Sequence, residues 1–91
     1  MYKSLEELNE AICDKFGDNE IKVVVFESPD YLDAFLGISD DCRAIYDYDK
    51  MVESLMEKDG MTEEEAIDFV EFNTIRSLPY YDNCPIILYK V

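Results

Sequence analysis

Histidine is absent from this chain, glycine and proline occur three times each, and eight cations stand against twenty-two carboxylates. Without histidine, the usual general base, the Ser–His and Cys–His nucleophile pairs and the commonest zinc ligand are all missing. Three glycines leave no Walker loop and no G-x-G-x-x-G dinucleotide fingerprint. The cysteines Cys13, Cys42 and Cys84 are odd in number and show no C-x-x-C spacing. The first twenty residues are amphipathic and lack the apolar core of a secretory leader. Together these features argue for a reducing, cytoplasmic compartment, with the thiols acting as small buried apolar groups. The longest apolar run, Val23 to Phe26, is far too short to span a bilayer. There is no Pro/Gly/Ser-rich linker, low-complexity tract or internal repeat, so residues 1–91 read as a single domain.

What remains is apolar enough to fold and strongly negative. Apolar residues make up 48% and aromatics 13% of the chain, on the ordered side of the order–disorder divide. A chain of this size buries somewhat over ~60% of its unfolded surface, enough for one modest core. The net charge of −14 repels nucleic acid and anionic membranes and attracts basic protein surfaces or cations. The bland alternative is that the acid only keeps a small protein soluble.

The clearest local signal is Asp59-Gly60-Met61-Thr62-Glu63-Glu64-Glu65-Ala66. Thr62 and Glu65 form a capping box, Met61 and Ala66 a small hydrophobic staple, and three glutamates meet the positive end of the helix dipole. A helix therefore begins at about residue 63, and Asp59-Gly60 closes whatever precedes it. Glu64, Asp68 and Glu71 stack as a polar stripe, while Ala66, Ile67, Phe69, Val70 and Phe72 fill most of the remaining circumference. Such a helix is either well buried or keeps one flank for a partner.

Ser4-Leu5-Glu6-Glu7 is a second capping box, followed by Leu5, Leu8, Ile12 and Phe16 at helical spacing, which predicts a helix over 5–16. The β-branched run Ile21 to Phe26 reads as an inner strand. Residues 31–38 fit either a helical face or a strand. The preferred reading is a helical turn at 29–33, then a hairpin in which 34–39 pairs with Arg43 to Tyr46 through Asp40-Asp41-Cys42. Asp47 or Asp49 caps a helix over 48–58 that carries the stripe Tyr48, Met51, Val52, Leu55 and Met56. Leu78 to Pro85 is a structured loop, and Ile86 to Tyr89 is another inner strand. The order α-β-hairpin-α-α-β predicts an α+β, two-layer single domain: a three- to four-stranded sheet packed with about three helices.

The strings Tyr46-Asp47-Tyr48-Asp49-Lys50-Met51, Asp59-Gly60-Met61-Thr62, Glu71-Phe72-Asn73-Thr74, Leu78-Pro79-Tyr80 and Pro85-Ile86-Ile87 resemble a widespread group of small prokaryotic and phage-borne proteins. The likeness covers Arg43 to Tyr89 and leaves the first forty residues out. The group has no assigned activity. The resemblance implies a recurring domain in a mobile-element setting and carries no catalytic residues.

Among chemical options, Asp47 and Asp49 form a D-x-D that can ligate Mg²⁺ or Ca²⁺, although Met51 breaks the EF-hand pattern. The competing reading makes them N-cap acids. A helix-turn-helix DNA reader is rejected because the would-be recognition helix carries five carboxylates against Arg76. Read the other way, the same carboxylates present a negative surface to a basic groove. The expectation is a non-enzymatic acidic protein of phage or mobile-element type, without cofactor or metal. It binds a nucleic-acid-handling partner, such as a defence nuclease complex in anti-CRISPR fashion, and contacts neither nucleic acid nor membrane directly. The candidate contacts are Glu63, Glu64, Asp68 and Glu71, with Asp40, Asp41, Asp47 and Asp49 as a second cluster. The alternative is an oligomerising or scaffold domain with apolar contacts through Phe69, Phe72 and the Tyr80-Tyr81 loop, in which acidity serves only solubility.

Overall fold

The computed structural model describes residues 3–16, 23–27, 30–80 and 83–91. Helix α1 spans Leu5–Phe16. The Ser4 hydroxyl accepts from the Glu7 amide at 3.2 Å, but the Glu7 carboxylate reaches back to the Lys3 amide at 3.4 Å, one residue beyond the expected box. Leu8 is fully buried, while Glu6, Glu7, Glu10 and Asp14 are exposed, as the helical spacing requires.

Strand β1 (Phe35–Ile38) and strand β2 (Ala44–Asp47) form the expected antiparallel hairpin. The register slips between Phe35 and Gly37, so Leu36 is the extra residue of a bulge and is 51% exposed. The turn closes through Ser39 N–H to Arg43 O at 2.8 Å and Cys42 N–H to Ser39 O at 2.9 Å, with Cys42 left-handed at φ 63°. The chain enters β1 through a 3₁₀ turn at Leu32–Ala34, close to the predicted helical turn; Ser28 and Pro29 lie outside the described residues.

Helix α2 spans Tyr48–Asp59 and buries Met51, Val52, Ser54 and Leu55. It ends on Gly60 at φ 68°, a left-handed position that costs glycine little. Helix α3, Glu63–Phe69, starts on the full capping box: Glu65 N–H to the Thr62 hydroxyl at 3.2 Å and Thr62 N–H to the Glu65 carboxylate at 2.9 Å. The α-helical part is shorter than the sequence suggests. It widens into a π turn at Val70–Thr74 and then tightens into a 3₁₀ segment at Ile75–Tyr80.

The π turn has a packing reason. Ala66, Val70 and Thr74 are all buried, a strict four-residue spacing that an α-helix of 3.6 residues per turn carries progressively off the core. A turn closed by i→i+5 bonds holds more residues and keeps Val70 and Thr74 on the inside. There the Thr74 hydroxyl lies 2.8 Å from the buried Tyr31 hydroxyl. Phe72, on the other side of the turn, faces out at 61% exposure.

Strand β3 (Ile86–Leu88) pairs in parallel with β2, so the sheet order is β1-β2-β3, with α2 and α3 in the crossover. This corrects two strand expectations. Ile86 to Tyr89 is not an inner strand: β3 is an edge, Leu88 is 42% exposed, and Tyr89 lies past the strand end. Val23–Phe26 adopts no regular secondary structure, and Ile21 and Lys22 lie outside the described residues. A β-branched run becomes a strand only where it finds a ladder. Here the Phe26 amide donates instead to the Tyr46 hydroxyl at 3.2 Å, and side chains tie the segment to the core. The Phe26 ring meets Tyr31 edge-on at 5.4 Å and Tyr46 at 4.8 Å, and Phe35 closes on Tyr46 at 5.6 Å. Tyr31 sits left-handed at φ 49°, a rare conformation for a bulky side chain, within this cluster. The result is the α+β fold, with one cluster of buried side chains drawn from the sheet, α2 and α3. No described helix is long and apolar enough to cross a membrane.

Candidate functional site: an acidic, aromatic face on helix α3

Beside the exposed acids of α1, two groups of carboxylates stand apart. In the first, acids are neutralised at junctions of the fold. Asp47 is 1% exposed. It caps α2 by accepting from the Lys50 amide at 3.3 Å, and its other oxygen meets Lys90 Nζ at 2.8 Å. Burial works to raise its carboxyl pKa. The hydrogen bonds from Lys90 and the Lys50 amide outweigh that and hold it below the usual aspartate range. The capping alternative thus describes Asp47, and its side chain is withdrawn from any docking surface.

Asp41 pairs with Arg43 at 3.7 Å and accepts from the Ser39 hydroxyl, which together with Arg43 depresses its pKa. Arg43 also donates to the Cys84 carbonyl at 2.8 Å and the Cys84 Sγ at 3.3 Å, joining the hairpin to the segment before β3. Lys58 reaches Asp33 at 3.2 Å and Lys50 reaches Glu53 at 3.3 Å. The expected second cluster therefore divides. Asp40 and Asp41 lie at the hairpin tip, whereas Asp47 and Asp49 lie at the far end of β2, and only Asp40 and Asp49 are exposed without an ion pair among the described residues.

The second population lies along α3 and its approach. Between Glu57 and Glu71 stand Glu57, Asp59, Glu63, Glu64, Glu65, Asp68 and Glu71, seven carboxylates with Lys58 as the one cation in that stretch, and Lys58 is turned to Asp33. All seven are exposed. Among the described residues no ion pair reaches Glu63, Glu64, Asp68 or Glu71. Glu71 accepts from the Tyr48 hydroxyl at 3.0 Å, and burial together with that carboxylate pushes the Tyr48 phenol up to about 12. The sequence-predicted stripe Glu64, Asp68 and Glu71 is thus presented to solvent, with Glu71 fixed on its α2 side.

Beside that stripe runs a feature the sequence analysis did not isolate. Met61, Glu65, Asp68, Phe69, Phe72 and Asn73 line an open cleft of about 390 Å³. Their spacing already put them on one face, opposite Ala66, Val70 and Thr74. The cleft was hidden because Phe69 and Phe72 also fit a core. Arg76 lies over the Phe72 ring, 5.6 Å from its centroid. Tyr81, the other aromatic named for apolar contacts, lies outside the described residues.

Among the described residues no group of three or more Cys, Asp or Glu side chains is arranged to hold a metal ion. Asp47 and Asp49 are separated in role, one buried and paired, the other exposed in the first turn of α2. Compared with known proteins, the chain matches no family model, no curated protein and no solved structure.

Proposed function

We propose that this protein is a non-enzymatic acidic binder that occupies the basic surface of a nucleic-acid-handling protein, in the manner of a phage-encoded inhibitor acting in the host cytoplasm. The observation that carries this reading is the density of free carboxylate along α3 and its approach. Arg43, Lys58 and Lys90 are paired with Asp41, Asp33 and Asp47, and among the described residues Glu63, Glu64, Asp68 and Glu71 are exposed with no ion pair. Fixed carboxylates along a helix are suited to a groove that otherwise holds phosphates. The phage or mobile-element setting is part of the proposal and comes from the resemblance read in the sequence between Arg43 and Tyr89.

Capture from a prokaryotic extract at low salt, followed by a salt gradient, tests the proposal. Nucleic-acid-binding proteins should elute early in the gradient and should lose nucleic acid when this protein is added. The Glu64→Gln/Asp68→Asn/Glu71→Gln variant should do neither. Retention that is insensitive to salt, or a variant that behaves like the parent, overturns the reading.

A further inference from the structure

We infer that the cleft on α3 is a docking groove for a basic amphipathic polypeptide segment. One large apolar side chain of that segment enters between Phe69 and Phe72, while its flanking Lys or Arg residues meet Asp68 and Glu64. The inference rests on the proposed basic partner and adds an apolar anchor to it.

Charge alone does not require an anchor; the side chains of the cleft do. Phe72 is 61% exposed, Phe69 and Met61 are half-buried beside it, and the opening measures about 390 Å³. That volume is at the small end for pockets that enclose ligands, and the cleft is open to solvent, so it suits a side chain offered from a surface. Methionine beside two phenylalanines gives an adaptable apolar floor. An aromatic exposed on the outer face of a helix is the kind of residue that carries binding energy when covered.

The rim selects the occupant. Asp68 lies on the cleft wall and Glu64 one helical turn before it, both exposed and without a cation among the described residues. A second copy of this chain would set these carboxylates against their own equivalents, a like-charge contact that disfavours self-pairing through this face. Nucleic acid and anionic membranes are repelled by the same rim. A cationic segment is attracted by these carboxylates, and its anchor takes the open side of Phe72, whose ring carries Arg76 at 5.6 Å. Helix-face recognition of this kind reads an apolar anchor flanked by complementary charge.

Two synthetic peptides of equal length and equal positive charge test the groove, one with central Leu and Phe residues and the other with serine in their place. Titrations followed by NMR and by fluorescence anisotropy, at low and high salt, give affinity and location together. The anchored peptide should bind about tenfold more tightly and shift the resonances of Phe69 and Phe72. Phe72→Ser, at an exposed position where folding is not at risk, should abolish that advantage and leave the anchorless peptide unchanged. Asp68→Asn with Glu64→Gln should flatten the salt dependence of both peptides. Equal binding of the two peptides overturns the groove and leaves the acidic-surface reading standing. Failure of both to bind at low salt overturns groove and reading together. Concentration-dependent self-association that disappears in Phe72→Ser assigns the cleft to a second copy and also overturns the inference.

Discussion

The corner where β2 runs into α2 and the outer face of α3 are both rich in acid, and they use it in opposite ways. At the corner, Asp47 is buried, caps a helix and holds Lys90, so its charge is consumed by the architecture. On α3, Glu64 and Asp68 are exposed and make no ion pair among the described residues. A carboxylate that holds the fold together is costly to remove and invisible to a partner, and one that faces outward has the reverse properties. Mutations that separate stability from binding therefore probe the comparison directly.

The largest stability loss should come from Asp47→Ala. It removes an N-cap and leaves Lys90 without its carboxylate, which together should cost about 2 kcal/mol in urea unfolding at neutral pH. The pH dependence has a definite sign. A carboxyl whose folded pKa is depressed contributes its full stability above the ordinary aspartate value of about 3.9, and loses it as pH falls through that value toward the lower folded one. The gap between parent and variant should thus be constant from neutral pH down to mild acid and then close. A gap that widens in acid contradicts the pairing.

Next in size is Thr74→Val, which strands the Tyr31 hydroxyl in the core and should cost about 1–2 kcal/mol. Adding Tyr31→Phe should restore part of the loss, because removing both partners leaves nothing unsatisfied. Equal losses in the single and double variants would mean that a stranded Tyr31 hydroxyl is not the source of the cost. The smallest effect belongs to the outer face. Asp68→Asn with Glu64→Gln should change unfolding stability by no more than about 0.5 kcal/mol, because relief of like-charge repulsion between residues four apart is offset by loss of the Glu64 charge from the first turn of α3.

How far the sequence anticipates these features follows the range of the interactions that make them. Thr62 with Glu65, Ser4 ahead of α1 and the α2 stripe are written within a few residues, and each forms near where the spacing places it. The hairpin is legible for the same reason. Lys90 as the partner of Asp47 is not, because a distant segment must first be delivered by a parallel strand. Val23–Phe26 has strand composition, yet its fate is decided by whether a neighbour offers a ladder, and the Tyr46 hydroxyl takes the Phe26 amide instead. The Tyr31–Thr74 hydroxyl contact at the end of the π turn joins residues forty-three apart, information that no local window contains. The acidic residues of α3 were readable one by one. Their companionship with Phe69 and Phe72 was readable only as a face.

The parallel pairing of β2 with β3 has a consequence for how the molecule assembles. The β1–β2 hairpin and α2 rest on near-neighbour contacts, whereas seating Ile86 beside Ile45 must close a loop that contains the whole α2–α3 crossover. Because the entropy of closing such a loop comes due before its contacts repay it, that strand docks late. The part of the lowered proton affinity of Asp47 that Lys90 supplies therefore arrives with this late step, whereas the part supplied by the Lys50 amide comes with α2.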